Sequence, residues 1–265
     1  MRFGSKSDLL SCVCSDAQST PDLSDIVADA MMVDGAVAIQ MLKPGCAKTF
    51  DEYRAKIFCP FLRSLLHKVN RVDVVFDTYV ADSLKSACRE KRGSGVKIQV
   101  SESTKVPQNW QQFLRVDDNK AGLFHFLTNL PLADVVTKTV IMTYDSNVVQ
   151  FGESVDTSEI APCSHEEADI RLLLHCLHAA GCGMKRIIIR TVDTDVVVLA
   201  VAFFGRLSVE KLWIHFGMGK HTLVIAVHDL VTVLAAEKCR ALPVFHALTG
   251  CDTVSCFLGK GKKSM

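Results

Sequence analysis

Residues 186–204 read RIIIRTVDTDVVVLAVAFF, and the order of residue types in this stretch decides the fold class. Three consecutive isoleucines between Arg186 and Arg190 form a short, β-branched run, which predicts a buried strand. Asp193 and Asp195 follow it, and the nine apolar residues Val196 to Phe204 predict a buried helix. Strand, acidic turn and helix in succession form the repeating unit of a parallel α/β sheet.

Working outward, the pattern repeats. On the C-terminal side, Leu212–Phe216 and Thr222–Ala226 read as strands joined through Gly217 to Lys220. Helices follow as far as Leu248, and Gly250-Cys251-Asp252 then forms a turn. On the N-terminal side, Ser164 with Glu167 three residues later is a capping-box pattern, opening a helix that runs to Ala180 and stops at Gly181 and Gly183. Lys138–Met142 and Val72–Phe76 predict strands, the second closing on Asp77. The alternation in Val33–Met41 (VDGAVAIQM) predicts another. Phe50–Val69 carries Phe58, Phe61, Leu62, Leu65 and Leu66 as one helical stripe. Ala81–Arg92 reads as a basic helix stopped by Gly93-Ser94-Gly95. An extended piece, Val96–Val100, precedes helical stretches around Trp110–Leu114 and Lys120–Leu130. The fold class is α/β, with a mostly parallel central sheet flanked by helices. Residues 1–30 read as a loosely packed lead-in.

Composition sets the outer bounds. The chain has 265 residues, 49% of them hydrophobic, enough for a large buried core and against intrinsic disorder. Lys and Arg total 30 and Asp and Glu 29, a net charge of +1, so phosphate binding would need a local basic patch. Eleven cysteines at irregular spacing suit a reducing interior better than a disulfide framework. The N-terminal residues lack the apolar core of a secretory signal. The longest apolar run falls well short of the roughly 20 residues a membrane helix needs. The expectation is an intracellular protein, nuclear or cytoplasmic, without a membrane span.

Acidic residues recur where α/β sheets bind ligands, at the carboxyl ends of strands. Asp34 lies on the first strand, Asp77 closes the second, and Asp193 and Asp195 follow the RIIIR strand. Asp252 sits in the glycine-containing turn, and Glu166, Glu167 and Asp169 crowd one helix start. Each has an ordinary reading as a turn or N-cap residue; Asp193, for instance, suits the cap of the helix beginning near Asp195. A converging set has a different meaning. Carboxylates brought together repel unless cations join them, and Mg²⁺ and Mn²⁺ take oxygen ligands of this kind.

These segments resemble the flap-endonuclease/XPG-type 5′-nucleases of the PIN-like superfamily. VDGAVAIQ is similar to that family's first strand, with Asp34 at a metal-ligand position. VVFD followed by a basic helix is similar to its second motif, with Asp77 as ligand. SHEEADIRL resembles its acidic helix start, placing Glu167 and Asp169. TVDTDVVVLA resembles its Asp-x-Asp motif, placing Asp193 and Asp195. LTGCDTVSCFLGKGKKS is similar to its Gly-x-Asp turn and the start of a helix-two-turn-helix, placing Asp252. The motifs keep their order across residues 33–265.

The resemblance implies a PIN-like nuclease domain over residues 31–265, with 93–136 in the place of an arch-like insertion and 250–265 a truncated helix-two-turn-helix start. It implies two ions, Mg²⁺ or Mn²⁺, and a nucleic-acid partner, DNA or RNA. Lys85 and Arg92, two helical turns apart and so on one face, would stabilise charge on the scissile phosphate. The chain departs from the family pattern at Asp169, where the family has Glu, and at Thr253, where it has an aromatic.

Other constellations carry less. His175, Cys176, His178 and Cys182 crowd one helix and do not make a tetrahedral zinc set. Cys12 and Cys14 lack redox spacing. No phosphate-binding glycine loop follows a strand. The sequence therefore predicts a metal-dependent nuclease cleaving phosphodiester bonds, with a non-catalytic PIN-like scaffold or interaction module as the alternative.

Overall fold

The computed structural model describes Leu10 and residues 21–79, 95–132 and 137–249. The expectations for the Ala81–Arg92 helix with Lys85 and Arg92, for Cys12 and Cys14, and for Asp252 and the residues after it lie outside the described residues. Among the described residues there are seven strands: β1 (Ala30–Asp34), β2 (Arg71–Val75), β3 (Thr139–Tyr144), β4 (Asn147–Gly152), β5 (Arg186–Thr191), β6 (Lys211–Phe216) and β7 (Leu223–Ala226). The first four are ordered β4-β3-β2-β1 and the last three β5-β6-β7, with mostly parallel pairing. The pairs β1–β2, β2–β3 and β5–β6 are parallel, while β3–β4 and β6–β7 are antiparallel. The chain divides into two compact units, Ala30–Arg171 and the segments Met1–Asp29 with Leu172–Met265.

In the Ala30–Arg171 unit, every residue of β1 and β2 is buried, as strands covered on both faces must be. That burial includes two charges. Arg71 and Asp73 are i and i+2 on one strand, hence on one face. The Arg71 fork donates to Asp73 through Nε and Nη2, both at 2.7 Å. Removing one member of a buried pair like this costs about 3–5 kcal/mol.

The reading of Val33–Met41 as a strand is corrected here. The strand is Ala30–Asp34, and Gly35–Met41 is a helix, α1. Asp34 starts it by accepting the Val37 N–H at 3.1 Å, and Val37, Ala38 and Ile39 turn into the core. Gly35 allows the close approach that follows, because a Cβ there would sit 2.1 Å from the Phe76 ring.

Phe50–Tyr53 (α2) and Cys59–Leu66 (α3) are joined by a π-helical stretch, Arg54–Phe58. The wide turn, in which Cys59 N–H bonds the Arg54 carbonyl, falls immediately before Pro60. A proline ring clashes with the carbonyl four residues back in a regular helix, and widening the turn relieves that. Trp110–Phe113 (α4) and Asp117–Leu127 (α5) are further helices of this unit. Trp110 and Tyr53, ring centroids 5.0 Å apart, are buried with their polar atoms satisfied. Trp110 Nε1 donates to the Ile39 carbonyl at 3.0 Å and Tyr53 OH to the Leu42 carbonyl at 2.9 Å, so both rings clamp the end of α1. Strand β4 had no counterpart in the sequence reading.

The other unit carries β5, β6 and β7. At its edge, Asp29 accepts the Lys185 and Arg186 N–H groups at 2.9 and 2.8 Å and the Arg186 guanidinium at 2.6 Å. Burial alone would raise the Asp29 carboxyl, but the hydrogen bonds from Arg186 and Lys185 together hold it below its ordinary value. The predicted buried helix is Thr194–Phe203 (labelled α7, after α6 below), and Val196, Val197, Val198, Ala200 and Val201 are buried along it. The β6–β7 hairpin turns through Gly217 at φ +91, where a Cβ would meet the His221 carbonyl oxygen at 2.0 Å. Val227–Leu248 (α8) packs on α7 and β6. It is interrupted at Ala235, whose φ of 63 and ψ of 157 are not helical.

The helix opened by the capping-box pattern, α6, runs Ala168–Gly181 and begins four residues later than Ser164 suggests. Its first N–H is satisfied from elsewhere in the chain: Ala168 N–H donates to Asp77 Oδ1 at 2.9 Å.

Candidate metal centre

The acidic residues expected at strand ends are all there among the described residues, in three different settings. Asp34 is buried and holds the Val37 N–H, so one of its oxygens caps α1. Asp77, just past β2, does the same for α6 across 91 residues of sequence. Helix N-termini attract carboxylates through unpaired N–H groups and the helix dipole, so both placements follow from ordinary capping. The neighbouring Thr78 N–H donates to the Glu166 carbonyl at 2.8 Å, which ties the β2 end to the residues preceding α6.

Arg171, only 1% exposed, reinforces that tie from the second turn of α6. Its Nη1 donates to Thr78 Oγ1 at 3.1 Å and to the Asp145 carbonyl at 2.7 Å, and its Nη2 donates to the Asn147 carbonyl at 3.4 Å. Asp145 forms the β3–β4 turn at φ 46, a conformation Asp tolerates better than most residues. Burial draws the Arg171 guanidinium below its ordinary value, opposed by the charges of Cys163, Asp77 and Asp145.

After β5 the chain places two carboxylates. Asp193 is the N-cap of α7: its Oδ1 accepts the Asp195 N–H at 2.9 Å, and its own N–H donates to Thr191 Oγ1 at 3.1 Å. Asp195, in the first turn of α7, points a carboxylate oxygen at His246 Nε2, 2.6 Å away. Both acids are half-buried.

Asp169 lies in the first turn of α6. Asp193 and Asp195 each offer an oxygen, and these two atoms lie within 4.8 Å of each other. Mg²⁺ and Mn²⁺ both prefer such oxygen donors. Lys85, Arg92 and Asp252 lie outside the described residues. His175, Cys176, His178 and Cys182 form no metal-holding group among the described residues, although Cys182 Sγ lies 4.0 Å from His178 Nε2.

His246 was not legible from sequence. It lies 51 residues beyond Asp195 on a helix whose buried face becomes evident only once α8 is seen packed. The available signal was a stripe at helical spacing, Cys239, Leu242 and His246, with a polar member on an otherwise apolar face.

No protein-family model matches the chain, and no curated protein matches it. Solved structures do. The fold is similar to the catalytic core of Rad2 in complex with DNA substrate (complex II), with a TM-score of 0.52 and 14% sequence identity, over 96% of this chain and 64% of that one. The catalytic core of Rad2 in a second DNA complex (complex III) matches over the same shares at 17% identity and a TM-score of 0.49. The chain thus spans 64% of the length of these solved chains. The fold class expected from the flap-endonuclease/XPG resemblance is the one observed, an α/β fold similar to that of the Rad2 catalytic core.

Proposed function

We propose that the protein is a divalent-metal-dependent nuclease that hydrolyses phosphodiester bonds of DNA or RNA with two Mg²⁺ or Mn²⁺ ions. The observation that carries this reading is the pair Asp193 and Asp195 after β5, with oxygens within 4.8 Å of each other, on a fold similar to the catalytic core of Rad2 in complex with DNA substrate. Bound there, divalent ions would activate water for attack and stabilise the leaving oxygen. The two carboxylates, with Asp169 as a further ligand, would hold and orient those ions. Asp193 fixes the position of Asp195 through its backbone N–H, so the pair approaches a cation as one preformed unit. Asp34, Asp77, Glu167 and Asp252 would extend the ligand set, directly or through water. Lys85 and Arg92 would neutralise charge developing on the phosphate. The protein would work inside the cell, in the nucleus or cytoplasm.

A second reading, a non-catalytic PIN-like scaffold, is favoured by one specific observation. Asp34 and Asp77 each already hold a helix N–H, a role that needs no ion.

Labelled single-stranded, flapped and duplex nucleic acids incubated with the protein and Mg²⁺ or Mn²⁺ separate the two. The nuclease is expected to cut at least one of them, and the Asp193→Ala plus Asp195→Ala variant none. Cleavage surviving in that variant rules out this site, and no cleavage by the parent protein leaves the scaffold.

A further inference from the structure

Resting on the nuclease reading of the same site, we propose that His246 is a positioning residue that fixes the Asp195 carboxylate for its cation. Cys239, Leu242, His246 and Thr249 recur at helical spacing and are all buried, between 3% and 9% exposed. Packing alone would put an apolar side chain at 246. The imidazole instead sends Nε2 to Asp195 Oδ1 at 2.6 Å. A carboxylate only accepts, so Nε2 carries the hydrogen. The other ring nitrogen, Nδ1, is buried and has no hydrogen-bond partner among the described residues. An unmet polar atom in a packed interior is unfavourable, and an aliphatic residue here would avoid it. The position thus gives up stability in order to make one directed bond.

That bond defines the geometry of Asp195. Its backbone N–H is held by Asp193 and its Oδ1 by His246, so both ends of the residue are fixed before any cation arrives. The helix end is secured in turn, because Thr249 Oγ1 donates to the Phe245 carbonyl at 2.7 Å. Groups that orient a metal ligand in this way typically change metal affinity by about 10–100-fold when removed.

The test is calorimetric Mn²⁺ titration of the full chain and its His246→Leu and His246→Gln variants, with thermal unfolding recorded for each. His246→Leu keeps the packing and removes the donor, and is expected to weaken Mn²⁺ binding about tenfold. His246→Gln restores an N–H at comparable reach and is expected to stay within about threefold of the parent, below that range. If the Leu variant does not fold, His246→Asn, polar but one methylene short of Gln, takes its place with the same expected loss. Equal binding by the Leu variant and the parent overturns the proposal and leaves the nuclease reading standing. Equal weakening by Leu and Gln also overturns it, because packing rather than the donor would then be responsible. A parent protein that binds no Mn²⁺ overturns both the proposal and the nuclease reading.

Discussion

After β2 the chain places one carboxylate, Asp77, and after β5 it places two, Asp193 and Asp195. Asp77 bonds the first N–H of α6, 91 residues away. Asp193 bonds the start of its own helix, and Asp195 one residue later faces His246. Each strand end thus begins by capping a helix, because four N–H groups at every helix start lack partners and a carboxylate is the strongest side-chain acceptor for them. A single acid at a strand end is accounted for by that need alone. A second acid in the first turn is favoured by the helix dipole as well, and what sets Asp195 apart is that one of its carboxylate oxygens faces His246.

The comparison can be broken by substitutions to Asn, which caps about as well as Asp but carries no charge. Asp195→Asn is expected to lower cleavage by at least about 100-fold, the scale of removing a principal charge-stabilising group. Asp77→Asn is expected to lower it by less than about tenfold and to leave the unfolding midpoint near the parent's, since the cap survives. Parallel rate measurements on the two variants check the order, and equal losses would erase the distinction between capping and chemical acids.

A larger change on the Asp77 side is structural. Arg171→Met leaves the Asp145 and Asn147 carbonyls and Thr78 without their buried donor. It is expected to destabilise the protein by about 2–4 kcal/mol in denaturant titration. A loss under about 1 kcal/mol, the scale of an ordinary hydrogen bond, would mean that the β2 end is held by something other than this guanidinium.

The smallest expected effect lies on the Asp195 side, in the helix that carries His246. Ala235 sits at φ 63 and ψ 157, a region open essentially to glycine. Ala235→Gly is expected to raise stability by about 1 kcal/mol, relief of strain outweighing the entropy glycine loses. Destabilisation in the same titration would show that the kink is not strained.

Much of this architecture was readable because local chemistry and tertiary need agree. RIIIR could only be a buried strand, and the apolar run after Asp195 could only be an inner helix. The β6–β7 hairpin was marked by Gly217, whose positive φ and closeness to the His221 carbonyl exclude a side chain. Misreadings came where the residue that caps a helix decided its start. VDGAVAIQM alternates like a strand, yet Asp34 turns it into a helix by capping Val37. Ser164 offered a capping box, but Asp77 supplies the first acceptor and the helix starts at Ala168. Strand β4 was missed because its side chains are half-buried or exposed, so burial leaves little pattern on it. At the candidate site, Asp169, Asp193 and Asp195 were each singled out from the sequence, but nothing in it says which side chain Asp195 faces. His246 was invisible for the same reason, since its role depends on a contact with Asp195 that spacing does not encode.

Thermal unfolding with and without Mn²⁺ probes the proposed cation site most directly. The parent protein is expected to gain about 2.7 kcal/mol when Mn²⁺ stands a hundredfold above its dissociation constant. The Asp169→Asn, Asp193→Asn, Asp195→Asn triple variant, with its caps kept and its charges gone, is expected to show no Mn²⁺-dependent rise. A parent midpoint indifferent to Mn²⁺, or a triple variant that rises as far as the parent, would contradict a cation site at these three carboxylates.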